Sequence, residues 1–125
     1  MTRGIVAVLA LVVLAWLGMT ERNLRLQASG VAATAKQDFA RAQDRFARSS
    51  ELNPDTTPDL QRAYVLNARG DKDQAIAAAR EILRREPENR DAWGLLLGFV
   101  ADEGSPLAQR ARAEVRRLNP LAARR

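Results

Sequence analysis

Polar and apolar positions divide this chain into two unlike parts. Residues 4–20, GIVAVLALVVLAWLGMT, carry no charge, with Arg3 before them and Glu21, Arg22 and Arg25 after them. A helix of that length spans roughly 25 Å, the short end of what crosses a bilayer. Trp16 falls near one end of the run, where an indole suits a membrane interface. The pattern predicts a transmembrane anchor over 4–20. A cleaved signal peptide is the competing reading, and it needs small residues just after the apolar core. Trp16-Leu17-Gly18-Met19-Thr20-Glu21 does not supply them. A short amino-terminal tail carrying Arg3 would stay in the cytoplasm and place residues 21–125 on the other side.

The remainder alternates differently. Strand-like alternation is absent, and Ala, Leu, Arg and Glu favour helix throughout. Pro54, Pro87 and Pro120 stand 33 residues apart (87 − 54 and 120 − 87). A proline cannot continue a helix and turns the preceding residue away from one, so a helix ends once per period. Each unit also breaks in its middle. Gly70 suits a left-handed C-terminal cap, and Asp71 suits the N-cap that follows. Gly104-Ser105-Pro106 does the same in the last unit, with Ser105 as N-cap and Pro106 in the first turn. Thr57-Pro58 opens the middle unit in the same style.

Helical hairpins are therefore expected over about 58–69 with 72–86, and about 90–103 with 106–118. Their apolar stripes are Ala75, Ile76, Ala79, Ile82 and Leu83, then Trp93, Leu96, Leu97 and Val100, then Leu107, Ala108, Ala111, Val115 and Leu118. Phe39, Ala42 and Phe46 make a similar stripe before Pro54. Stacked hairpins of this kind bury one continuous core and form a solenoid.

With these residues in place, the chain resembles the tetratricopeptide repeat family. The middle unit matches its pattern with Ala63, Gly70, Ala75, Ile82 and Pro87. The last matches with Trp93, Leu96, Gly104, Ala108 and Pro120, and the first with Phe39, Ala42, Phe46 and Pro54. Asp59 departs from the pattern, standing where the family carries a bulky residue, and the stretch around Gly30 is degenerate. The resemblance implies an all-α fold of about 2.5–3 hairpins over residues 36–120. A linker or degenerate helix is expected at 21–35, and a tail at 121–125.

Composition narrows the chemistry. The chain has no cysteine and no histidine, which excludes disulfides, Cys/His metal sites and thiol or imidazole catalysis. Asp55, Asp59, Asp71, Asp73, Asp102 and Glu103 lie at helix starts and turns, where a carboxylate complements the helix dipole. Neither an enzyme, a metal nor a cofactor is expected. Lys and Arg outnumber Asp and Glu 20 to 15, a net charge of +5. Arg80, Arg84, Arg85, Arg110, Arg112, Arg116 and Arg117 fall on outer faces of second helices, among acidic neighbours. Aromatic content of 5% offers little stacking for nucleic acid, which is not expected as a partner.

The resemblance further implies a concave face built from first helices, along which a peptide lies. On this chain that face carries Leu60, Tyr64, Asn67, Asp91, Gly98 and Asp102. Tyr64 has two readings: it lines the face, or it packs between hairpins. The lysines and asparagines that clamp a peptide's carboxyl end in chaperone-binding members are not present. Together these readings predict a membrane-anchored scaffold at a bacterial envelope, binding a protein or peptide and able to self-associate. The anchor-plus-repeats layout also resembles repeat regions following the membrane segments of envelope polysaccharide polymerases and ligases, which implies an accessory role in envelope assembly. The alternative is an Arg-rich surface that binds anionic lipid or polymer.

Overall fold

A computed structural model describes the backbone of residues 2–52, 54–101 and 104–120, with side chains from Leu11 onward except that of Leu52. Over these residues the chain is helical, in the order α1 (Thr2–Ala35), α2 (Phe39–Leu52), α3 (Thr57–Arg69), α4 (Lys72–Arg85), α5 (Arg90–Val100) and α6 (Pro106–Leu118). Each helix packs on the next, and α3 also meets α5. The result is three antiparallel hairpins laid side by side.

The turns follow from their residues. Gly70 adopts a left-handed φ of 93° and its N–H donates to the Asn67 carbonyl, closing α3. The Ser105 side chain accepts from the Ala108 N–H at 3.2 Å, with Pro106 at the helix start. Asn89 caps α5 in the same way, accepting from Ala92 at 2.9 Å. Asp71 differs from expectation: it precedes α4 without a side-chain cap, and its carboxylate pairs with Arg69 instead. Asp59, the residue out of keeping with the repeat pattern, receives a hydrogen bond from Arg85 and ties α3 to α4 at their ends.

Two apolar clusters lie along the stack. The larger runs through α3 to α6 and includes Leu66, Ala79, Ile82, Trp93, Leu96 and Val100. The smaller joins α1, α2 and α3 through Ala33, Ala42, Phe46 and Val65. The segment expected as a linker or degenerate helix at 21–35 is the packed half of α1. Its Gly30 lies so close to α2 that a Cβ there would sit 2.7 Å from the Phe46 ring. Ser49 donates to the Asn23 side chain one turn further along, where both residues are buried.

The amino-terminal expectation needs correction. No helix among the described residues is long and apolar enough to cross a membrane. Glu21, Arg22 and Arg25 end the apolar stretch of α1. Residues 4–10 of the expected anchor lie outside the described side chains. The transmembrane helix, the single-pass membrane location and the side assigned to residues 21–125 are therefore not supported, and the envelope role that rested on them falls with them. Leu11, Leu14, Trp16 and Leu17 are exposed on α1.

Candidate protein-binding groove

A groove of about 490 Å³ opens where α3, α5 and α6 come together. The register of α5 builds most of it. Successive residues of a helix turn by about a quarter of a circle, so Trp93 and Leu96 point into the core while Asp91, Gly94 and Gly98 share another side. Gly94 and Gly98 stand one turn apart on the groove wall. A Cβ at either would meet nothing within 4 Å among the described residues, so both glycines face open space. They do not mediate close packing of helices.

The groove floor is apolar. Leu95 and Phe99 come from α5 and Val115 from the last turns of α6. The rim is polar and mixed in charge. Arg90 and Asp91 form an ion pair at 3.5 Å, both well exposed, so this end carries no net charge. Asn67 of α3 and Asn119 just beyond α6 add two side-chain amides. An amide offers both a donor and an acceptor, the pair that a peptide backbone needs. Tyr64 lies beside them with 51% of its surface exposed. A residue packed between hairpins would be covered, so its ring contributes to the surface. An exposed ring with a hydroxyl provides apolar area and a hydrogen bond together.

Of the six residues expected on the concave face, Tyr64, Asn67, Asp91 and Gly98 line this one groove. Leu60 does not; it is half-buried against the large apolar cluster. Asp102 lies outside the described residues. Sequence reasoning did not select Arg90, Gly94, Leu95, Phe99, Val115 or Asn119. Gly94 had a readable signal, being four residues before Gly98 and so on the same helix side. Val115 and Asn119 had none, because they reach a first-helix groove from the end of a second helix.

A second polar junction ties neighbouring units together. The Asn89 side chain donates to Thr56 at 3.1 Å and to Glu86 at 2.7 Å. It links the turn before α3 to the turn before α5, one repeat later, and holds the two first helices in register.

Comparison with curated proteins finds no match. Residues 58–100 match a family model described as a tetratricopeptide repeat, which supports that family for this chain over α3, α4 and α5.

Proposed function

We propose that the chain is a binding module whose α3/α5/α6 groove holds a peptide segment of a partner protein. Tetratricopeptide repeats mediate protein–protein interaction, and they are typically non-catalytic scaffolds. One observation carries the reading: Tyr64, Asn67, Asp91 and Gly98, from two different helices, border a single open groove with an apolar floor. The floor of Leu95, Phe99 and Val115 takes an apolar side chain of the peptide, and the Asn67 and Asn119 amides address its backbone. The neutral Arg90–Asp91 end sets no demand for a strongly charged ligand.

Crosslinking in cells, followed by mass spectrometry, identifies the partner. Capture of that partner is then measured with two variants of the full chain. Tyr64→Ala with Asn67→Ala removes an aromatic anchor and an amide, and capture falls at least about tenfold. Gly98→Leu fills the groove from its wall. Because the space beyond Gly98 is open and leucine favours helix over glycine by roughly 0.8 kcal/mol, the fold survives while binding is lost. Full capture by both variants, with unchanged helix content, removes this groove as the binding site.

A further inference from the structure

On the opposite side of α5 from the groove, α4, α5 and α6 enclose a notch of about 340 Å³. Its floor is apolar: Trp93 is 6% exposed, Leu96 is 1% exposed, and Leu107 packs beside them. Its rim is cationic: Arg80 and Arg84 stand on α4 and Arg110 on α6, and no carboxylate among the described residues lines the notch. One of these guanidinium groups is balanced by a carboxylate and two are not. Arg84 gives two of its five donors to Glu81, at 3.0 and 2.7 Å. Arg80 and Arg110 have no acidic partner among the described residues. Arg110 instead lies over the Trp93 ring, 5.6 Å from its centroid. The ring is fixed in turn by a 2.8 Å hydrogen bond from its Nε1 to the Pro87 carbonyl. The arrangement holds one cation in place at the edge of an apolar recess, with two more across from it.

From this charge imbalance over an apolar floor we infer that the notch is a second binding site, for an acidic peptide segment that inserts one apolar side chain. Carboxylates flanking that side chain meet Arg80, Arg84 and Arg110 through charge-assisted hydrogen bonds, which arginine forms in pairs. The side chain covers the half-buried Leu107. Shape favours a peptide over a plain polyanion or a lipid surface. A polyanion leaves the apolar floor unused, and a bilayer surface is flat whereas the floor is recessed between two helices. The site is independent of the groove, since the two share no residue.

The test uses the full chain and three probes: a fluorescein-labelled peptide with one Leu among Asp and Glu residues, the same peptide with Ala in place of Leu, and phosphatidylglycerol vesicles. Anisotropy reports affinity, and the indole N–H signal of Trp93 reports the site. The Leu peptide binds and moves the Trp93 signal. The Ala peptide binds at least about tenfold more weakly, as loss of the buried methyl and methylene groups requires. Arg80→Gln and Arg110→Gln each weaken the Leu peptide about tenfold, while Tyr64→Ala leaves it unchanged. Equal affinity for the two peptides, a Trp93 signal that does not move, binding insensitive to Arg80→Gln and Arg110→Gln, preference for vesicles, or no binding of the Leu peptide each overturns the inference. Thermal melts of the arginine variants that match the parent keep a loss of affinity from being read as a loss of fold.

Discussion

The first hairpin and the four helices after it are both antiparallel helix pairs, yet they are held together differently. α3 to α6 share one apolar cluster, with Leu66, Ile82, Trp93, Leu96 and Val100 interlocked across four helices. α1 and α2 meet over a seam that includes Ala33, Ala42 and Phe46, with the Asn23–Ser49 hydrogen bond beside it. Val65 of α3 completes the seam, so the first hairpin leans on the repeat block. The family match falls in the second region, at 58–100. A repeat needs a neighbour to cover its apolar side. The first hairpin supplies that cover for α3 through different chemistry, a close backbone approach at Gly30 and a buried polar pair.

The largest expected effects come from truncating the centre of each region. Phe46 is fully buried. Phe46→Ala costs about 4 kcal/mol and Leu96→Ala about 3 kcal/mol. Their consequences separate under hydrogen exchange. Phe46→Ala lowers protection in α1 and α2 and spares α4 to α6, whereas Leu96→Ala lowers protection everywhere. Equal loss in all six helices for Phe46→Ala would show one cooperative body and end the contrast. Next in size is a single substitution with two signs. Gly30→Ala places a Cβ 2.7 Å from Phe46 and costs about 2 kcal/mol, since the buried ring must shift. Gly94→Ala meets open space and stabilises α5 by roughly 0.5–1 kcal/mol. Denaturant melts of the two variants that move in the same direction would contradict this placement of the two glycines.

Asn89→Ala removes the cap of α5 and the bond to Thr56, and it costs about 1 kcal/mol. Retained stability there would mean that the register of α3 and α5 is set by apolar packing alone. The smallest effect is electrostatic. Hydrogen bonds from Arg84 hold the Glu81 carboxyl below its ordinary pKa, and Glu81 in turn raises Arg84. A depressed carboxylate stabilises the fold above the ordinary carboxylate range, and that contribution disappears as pH falls through the folded pKa. The pair is fully exposed, so the consequence is a titration shift with little change in stability. In a carboxyl-carbon NMR titration, Arg84→Gln returns Glu81 toward the ordinary range. An unmoved Glu81 would mean that the Arg84 hydrogen bonds are absent in solution.

Much of the fold was legible because its punctuation is local. Pro54 and Pro87 at a fixed interval, Gly70 with its left-handed φ, and Ser105 followed by Pro106 each act within a few residues. Asp71 misled because a nearby Arg69 competes for its carboxylate, a choice that residue type does not settle. The stretch 21–35 looked degenerate because two of its closest contacts with α2 use glycine and asparagine, which carry no apolar signal. Four groove residues followed from the family's first-helix pattern. The α6 contribution of Val115 and Asn119 depends on how the last hairpin leans, which no spacing encodes. The apolar run at the amino terminus read as an anchor from its composition, and the described helix does not support that reading.

The proposed function rests on partner contact through the α3/α5/α6 groove. A photo-crosslinking amino acid introduced into the full chain in cells tests it most directly, at Tyr64 in the groove and, separately, at Ala77, exposed on α4. A discrete crosslinked partner is expected from position 64, lost when Gly98→Leu is added, and none of that species from position 77. The same adduct from both positions, or an adduct at 64 that persists with Gly98→Leu, would contradict it.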